Sequence, residues 1–340
     1  MDIRVLDASE LGDEAVMREF YDLNRRSETF GREQAPFWPF EEFLGAYRTT
    51  DSGELQEPIV AYDGDRIVAT ATMWTPLVDN TDKAYFEVNV DPQRRRRGIG
   101  RALTGHLEQM ARDRGRTLLM TGSHLPYADR EDHAYCRFAE ACGYELSNIE
   151  VVRYLDLPVP DECIQQWIDR AAPHHEGYTI ETFVGAVPDD LVESLCALLG
   201  QLAVDAPTGS VDFEAEVITP ERYAEWIEGV TAMRRVRYET VALTTDREVV
   251  AQSTLAMPLA GSEGASKDVY QWGTFVHRDH RGHHLGLATK AVNLRALQAA
   301  RSDLTRIITQ NAETNGFMVA INDTLGFYPV EVSADFVKRL

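Results

Sequence analysis

At 340 residues, 44% apolar and 26% charged, the chain is long enough for two domains that each bury a core, and its balance is that of a folded protein. With 55 acidic and 34 basic side chains, its formal charge of −21 at pH 7 argues against nucleic acid as the main partner. Cys136, Cys142, Cys163 and Cys196 form neither a Cys-x-x-Cys pair nor a secreted disulfide framework. No apolar run reaches membrane length and no N-terminal signal segment is apparent, so a reducing cytoplasm without membrane attachment is the expectation.

In chain order, Asp2–Leu6 reads as a strand, and Asp13–Arg26 and Phe40–Arg48 as helices. Pro58–Tyr62 and Arg66–Trp74 form a hairpin about the turn pair Asp63-Gly64. Tyr85–Val90 is a strand and Gly98–Arg114 a helix, with Leu103, Leu107, Met110 and Ala111 on one face. Thr117–Thr121, a helix near Arg130–Cys142 and strands over Tyr144–Leu157 follow, and Pro158-Val-Pro160 opens a linker. The same order then returns. Tyr178–Phe183 is a strand, Asp189–Leu202 and Pro220–Met233 are helices, and Thr240–Leu243 pairs with Val249–Met257 about Asp246-Arg247. A mobile loop is expected over Pro258–Lys267, then a strand over Val269–Val276, a helix from Leu285, a strand over Arg306–Thr309 and a closing helix. Each half is a mixed α/β unit, mainly antiparallel with one parallel crossing.

Two stretches carry the repeat most clearly, Val90-Asp-Pro-Gln-Arg-Arg-Arg-Arg-Gly-Ile-Gly-Arg-Ala102 and Val276-His-Arg-Asp-His-Arg-Gly-His-His-Leu-Gly-Leu-Ala288. Arg95 and Arg281 are 281 − 95 = 186 residues apart, and Gly143-Tyr144 and Gly326-Phe327 are 326 − 143 = 183 apart. Two landmarks at nearly one offset indicate duplication of a whole domain. Each stretch is a basic strand-to-helix turn, where free backbone amides and the helix dipole make an anion site suited to a pyrophosphate.

Val-x-Pro-x-x-Arg-x-x-Gly-x-Gly at Val90–Gly100 resembles motif A of the GNAT superfamily of acyl-CoA-dependent acyltransferases. The second copy keeps Arg281 and Gly286, has His284 at the first glycine position, and ends on Asn315-x-x-Met-x-x-Ile-Asn322-x-x-Leu-Gly-Phe327, similar to the family's closing helix and strand. The resemblance implies two tandem GNAT-like domains, over 1–157 and 177–340 with a linker at 158–176, a layout similar to that of mycothiol synthase. It further implies acetyl-CoA, or another acyl-CoA, as co-substrate. In the first domain the cofactor contacts would be Val88, Asn89, Val90, Arg95, Arg96, Arg97, Gly98, Ile99, Gly100 and Arg101. In the second they would be Thr274, Val276, Arg281, Gly282, His283, Gly286 and Asn315, with weaker binding because His284 brings a side chain where the first copy has none.

The family's amides beside a bulge in the motif strand would fall here around Val88–Val90, to polarise the thioester. The tyrosine acid it often carries four residues before the Gly-aromatic pair is replaced by Ala139 and Asn322. Glu87 on the motif strand is then the candidate base, acting directly or through water, and Tyr135, one helical turn before Ala139, the candidate acid; a sheet ion pair and a surface tyrosine are the structural alternatives. Phe37, Trp38 and Phe40, in the turn-rich segment between the first two helices, are expected either to wall an acceptor pocket or to form a loop plug over the domain interface. His277, His280, His283 and His284 lack a carboxylate pair that would complete a coordination set, so no metal is expected. The expected function is N-acyl transfer to a small-molecule amine. The alternative is an acyl-CoA-binding sensor or scaffold whose catalytic capacity has decayed.

Overall fold

The computed structural model describes residues 1–260 and 266–340, so the centre of the loop expected over Pro258–Lys267 lies outside the described residues. The elements run β1 (Asp2–Val5), α1 (Ala8–Gly12), α2 (Glu14–Glu28), α3 (Phe40–Tyr47), β2 (Glu54–Asp63), β3 (Arg66–Pro76), β4 (Lys83–Val90), α4 (Ile99–Asp113), β5 (Leu118–Pro126), α5 (Ala134–Ala141) and β6 (Glu145–Asp156). They continue α6 (Asp161–Ala171), β7 (Thr179–Val184), α7 (Asp189–Gly200), α8 (Leu202–Asp205), α9 (Pro220–Ala232), β8 (Arg235–Leu243), β9 (Val249–Pro258), β10 (Asp268–Val276), α10 (Leu285–Ala300), β11 (Arg306–Ala312), α11 (Gly316–Thr324) and β12 (Tyr328–Arg339).

The chain divides into two compact units, one of Met1–Glu150, Thr208–Val211 and Glu331–Leu340, the other of Val151–Pro207 and Asp212–Val330. They differ from the two uninterrupted stretches expected from sequence. Residues 151–157, expected to end the first domain, lie in the second unit, and the last ten residues of the chain lie in the first. The expected linker also contains a packed helix: α6 lies against α10 with Ile164 buried. A Pro-flanked stretch looks like a linker because proline punctuates the chain, whereas the apolar spacing of Ile164 and Ile168 needed a neighbouring helix to give it meaning.

In the first unit the strands follow the order β1, β2, β3, β4, β5, β12. The β2–β3 hairpin closes with Asp63 opposite Arg66, and Gly64 turns with φ 62°. Helix α2 starts where the Asp13 carboxylate accepts from the amides of Ala15 and Val16, and buries Met17, Phe20, Tyr21, Leu23, Asn24 and Ser27 at three-to-four spacing. Leu103 and Leu107 of α4 are fully buried, so truncating either to Ala would cost about 2–5 kcal/mol. β4 and β5 are parallel and paired from Lys83–Leu118 to Phe86–Thr121. Their paired register ends there, although β4 continues to Val90 and β5 to Pro126. On its far side β5 is held by the chain's last strand, from Leu118–Arg339 to Pro126–Glu331.

The second unit repeats this plan in the order β6, β11, β10, β9, β8, β7, with β10 and β11 parallel over Asp268–Arg306 to Tyr270–Ile308. Helix α10 is covered nearly all round, burying Leu285, Ala288, Ala291, Leu294 and Leu297 with the polar Thr289, Lys290 and Asn293.

Candidate active site

Beyond the last β4–β5 pair the two strands part, and the first unit opens there into a cavity of about 680 Å³. Glu87, Val88, Asn89 and Val90 line one wall, and Gly122, Ser123 and His124 the other. The β3–β4 register runs one for one from Trp74–Tyr85 to Ala69–Val90. It is therefore the parting of β4 from β5, and not the expected bulge in β4, that turns the Glu87–Val90 backbone towards the cavity. In the second unit β10 does shift register against β9, between Gln271 and Gly273.

The basic turn closes one end of the cavity. Arg94, Arg95, Arg96, Gly98, Ile99, Gly100 and Arg101 all line it, whereas Arg97 does not. Arg96 and Gly98 adopt left-handed backbone (φ 66° and 82°), which aims the first amides of α4 into the space. Gly98 makes no side-chain cap, and a Cβ there would have no described atom within 4 Å on the protein side. Gly100 serves a different purpose: a Cβ there would meet the Phe138 ring at 3.0 Å, so this glycine lets α4 approach α5. Among the described residues Arg96, Arg97 and Arg101 carry no ion pair, while Arg94 is bound to Asp63 at 2.7 Å. A concave run of amides at a helix N-terminus, flanked by uncompensated guanidinium groups, fits a pyrophosphate.

Arg95 is spoken for within the protein. Its Nε donates to the Val90 carbonyl (3.3 Å), Nη2 to the Ser27 carbonyl (3.1 Å) and hydroxyl (3.2 Å), and Nη1 to the Tyr135 hydroxyl (3.0 Å). It fastens the turn to β4 and α2, and it also holds Tyr135, which lines the cavity beside Ala134 and Phe138. Ala139, at the position of the family tyrosine, is buried in α5.

The opposite end is acidic. Glu87 points into the cavity and is joined by Glu28, from the last turn of α2, and by the Tyr85 ring. Burial and the nearby Glu87 charge push the Glu28 carboxyl up to about 8, with Arg32 pulling the other way. Burial pushes Glu87 up to about 7. Asp335, on the last strand, is raised to about 6 by burial although Ser333 and Asn148 donate to it. Arg32 also lines the cavity and donates to both Glu331 oxygens, at 2.8 and 2.6 Å. Sequence reasoning missed Glu28, Arg32 and Asp335. Glu28 lies two residues past the helix expected over Asp13–Arg26, and Asp335 lies 248 positions after Glu87 (335 − 87), so no local pattern joins them.

Phe37, Trp38 and Phe40 do not border the cavity. They pack with Tyr21, Phe43, Leu44 and Val60 on the core beneath α2, where the Tyr21 hydroxyl donates to the Trp38 carbonyl at 3.0 Å. These three aromatic side chains answer to the core, and the end of α2, through Ser27 and Glu28, supplies cavity wall.

In the second unit the turn repeats the backbone with its residues rearranged. Gly282 (φ 87°) and His284 (φ 54°) occupy the two left-handed positions, so the glycine has moved from the second to the first. The His284 ring stacks on His174 with centroids 3.8 Å apart, and His283 Nδ1 lies 3.1 Å from the His174 carbonyl oxygen. Arg281 donates to the Val276 carbonyl (3.3 Å), as Arg95 does to Val90, but its Nη2 donates to Asp205 (2.7 Å), which also accepts from Arg278 (2.5 Å). Gly286 abuts Ile321 as Gly100 abuts Phe138. Thr274 donates to the Gly273 carbonyl, and Asn315 caps α11 by accepting from the Met318 amide, so both carry local structural bonds. Asn322 replaces the family tyrosine and accepts from Lys290 at 2.7 Å. The imidazoles of the cluster serve local contacts: His280 bonds the Tyr178 hydroxyl at 2.8 Å and His277 accepts from the Asp279 amide.

Comparison with known proteins agrees with this geometry. The acetyltransferase (GNAT) family profile matches residues 17–144. No curated protein sequence is recognisably similar to the chain. Among solved structures, a tandem GNAT protein from the clavulanic acid biosynthesis pathway is similar with TM-score 0.77 and 24% identity, over 99% of this chain and 98% of that one. A GCN5-related N-acetyltransferase from Sphaerobacter thermophilus matches with TM-score 0.62 and 16% identity over 99% and 95%. One from Anabaena variabilis matches with TM-score 0.54 and 11% identity over 99% and 73%. At these identities the structural likeness speaks for the fold, and among the described residues no helix is long and apolar enough to cross a membrane. Residues 17–144 thus match the acetyltransferase (GNAT) family, and the chain as a whole has the fold of tandem GNAT proteins.

Proposed function

We propose that the first unit transfers an acyl group, acetyl in the simplest case, from acyl-CoA to the amine of a small molecule. One observation carries this reading. The wedge between β4 and β5, the amide-lined turn before α4 and two half-buried carboxylates all open into a single cavity. The turn, through Arg96–Arg101, would hold the pyrophosphate, and the Val88–Val90 edge the pantetheine and thioester. An amide of that edge would stabilise the developing oxyanion.

The chemistry needs a neutral amine. Its nitrogen attacks the thioester carbon, the C–N bond forms, the C–S bond breaks, and the amine's proton passes to a base while the thiolate leaves. A carboxylate poised near neutrality suits the base role, and Glu87 lies on the wedge itself. Tyr135 of α5 lines the cavity, its hydroxyl accepting from the Arg95 guanidinium at 3.0 Å and donating to the Phe30 carbonyl at 3.5 Å, and it would turn from that carbonyl to return a proton to the leaving thiolate.

The second unit is proposed not to bind acyl-CoA under the same conditions. Both arginines of its turn are engaged by the one carboxylate of Asp205, and it carries the His174–His284 stack. Acetyl-CoA titrated into the protein by calorimetry should bind with a stoichiometry of about one per chain, and thiol release should require an amine. Stoichiometry of two would overturn the assignment to the first unit, and no binding at all would overturn the acyl-transfer reading.

A further inference from the structure

The cavity of the first unit has two poles. Arg94, Arg96 and Arg101 stand with the free amides of α4 at one end, and Glu28 and Glu87 stand at the other. A third carboxylate backs the acidic pole. Gly122 lines the cavity on β5, and the place a Cβ would take there lies 2.9 Å from the Tyr85 hydroxyl and 3.1 Å from Asp335 Oδ1. The wall behind this glycine is therefore made of oxygen atoms, a phenol hydroxyl and a carboxylate. We infer that this pole selects an acceptor carrying a second cationic group, a diamine or longer polyamine, in addition to the amine that is acylated. The inference rests on the acyl-transfer reading for the role of the cavity, and it specifies the acceptor.

The reason is charge balance in a confined space. Arg32, the nearest guanidinium, is bound through two hydrogen bonds to Glu331, and the pair sums to zero. Glu87 and Glu28, the latter hydrogen-bonded by Asn89, remain in the cavity wall, with Asp335 behind Gly122. One ammonium can satisfy one carboxylate, and the others would stay enclosed either charged without a counter-ion or protonated. An acceptor with a cation at each end satisfies two. An alkyl tail would lie against oxygen atoms, and a carboxylate tail would be repelled. The cationic end cannot turn to the other pole, where guanidinium groups stand. The raised carboxyl affinities for protons express the same frustration, and a bound dication would relieve it by keeping the carboxylates ionised, with release of protons near pH 7.

The test uses the full chain and measures amine binding by calorimetry at pH 7 without acyl-CoA. Straight α,ω-diamines of three to six carbons are compared with the 1-aminoalkanes of equal length and with 4-aminobutanoate. At least one diamine should bind roughly 10- to 100-fold more tightly than its matched monoamine, the usual worth of a hydrogen bond to a charged group. 4-Aminobutanoate should bind more weakly than either. Glu28→Gln should shrink the diamine-to-monoamine ratio about tenfold; a merely structural role would weaken both amines alike and leave the ratio in place. Equal affinity for diamines and monoamines at every length, or no binding of any diamine, overturns the inference. A separate acetyl-CoA titration on the same protein decides the acyl-transfer reading independently, so either can fail alone.

Discussion

The two strand-to-helix turns are one backbone carrying two sets of side chains. Both place left-handed residues two apart, both send an arginine Nε back to the carbonyl that ends the strand, and both press a glycine of the following helix onto the closing helix. What differs is the charge around them. In the first, Arg96, Arg97 and Arg101 are uncompensated and the amides face a cavity; in the second, Asp205 accepts from both Arg278 and Arg281, and a histidine pair stacks at the helix start. A duplicated fold thus keeps the geometry of an anion site while the charge that would attract the anion is partly offset in one copy. Backbone conformation is fixed by the strand–turn–helix packing, whereas a single acidic residue from α8 decides the electrostatics.

Each prediction breaks or sharpens this contrast. The largest effect is expected at the base. Glu87→Gln should lower turnover about 10²- to 10⁴-fold, with acetyl-CoA affinity nearly unchanged, once an acceptor is in hand; full activity in that variant would move the base elsewhere. Glu87 has no counterpart in the second copy, because Gly273 stands at the matching place (87 + 186 = 273).

Next in size is Gly98→Glu. It forces a side chain into φ 82° and sets a carboxylate among the phosphate-facing amides, so acetyl-CoA binding by calorimetry should fall at least about 100-fold. His284→Glu in the second turn should leave the acetyl-CoA isotherm as it is. If the two variants behave alike, the turns are not functionally distinct.

A smaller effect tests the cause. Asp205→Asn releases Arg278 and Arg281, and should give the second turn a weak anion site, seen as a second acetyl-CoA or pyrophosphate event at least about tenfold weaker than the first. No second event would mean that the His174–His284 stack, and not charge, closes that turn.

The smallest effects are on stability, and they have opposite signs in the two units. Glu28 and Glu87 bind protons more tightly in the folded chain than in the unfolded one, so between about pH 4.5 and 8 the folded state holds more protons and loses stability as pH rises. Glu28→Gln should remove part of that slope and raise the melting temperature by a few degrees at pH 8 relative to pH 5. Lys290, buried in the second unit, is pulled down to about 7 by burial, with the Arg153 charge adding to it. Here the unfolded state holds the extra proton between about pH 7 and 10.5, so stability gained from this residue grows as pH rises through that window. Lys290→Met should flatten the slope between pH 7 and 10. Melting curves of the two variants across pH should therefore deviate from the parent in opposite directions.

The duplication, the mixed α/β class and the turn at Val90–Gly100 were legible in the sequence because each is local. A strand, a basic glycine turn and an amphipathic helix are written in consecutive residues, and the repeat writes them twice. Glu87 and Tyr135 were legible for the same reason, by their offsets from the turn and from Gly143, and both line the cavity. The tertiary structure alone decided what joined them. Glu28 enters because the last turn of α2 packs beside β4, Asp335 comes to stand behind Gly122 of the wall because the chain's final strand pairs with β5, and Phe37, Trp38 and Phe40 leave because Tyr21 and Phe43 claim them for the core. The fate of the second turn was also tertiary. The sequence marks His284 as the departure, yet the histidine adopts the left-handed backbone, and the opposing charge comes from Asp205, 76 positions before Arg281 (281 − 205). Local sequence sets backbone conformation through short-range sterics and hydrogen bonds, whereas charge balance and cavity walls depend on which distant segments the fold brings together.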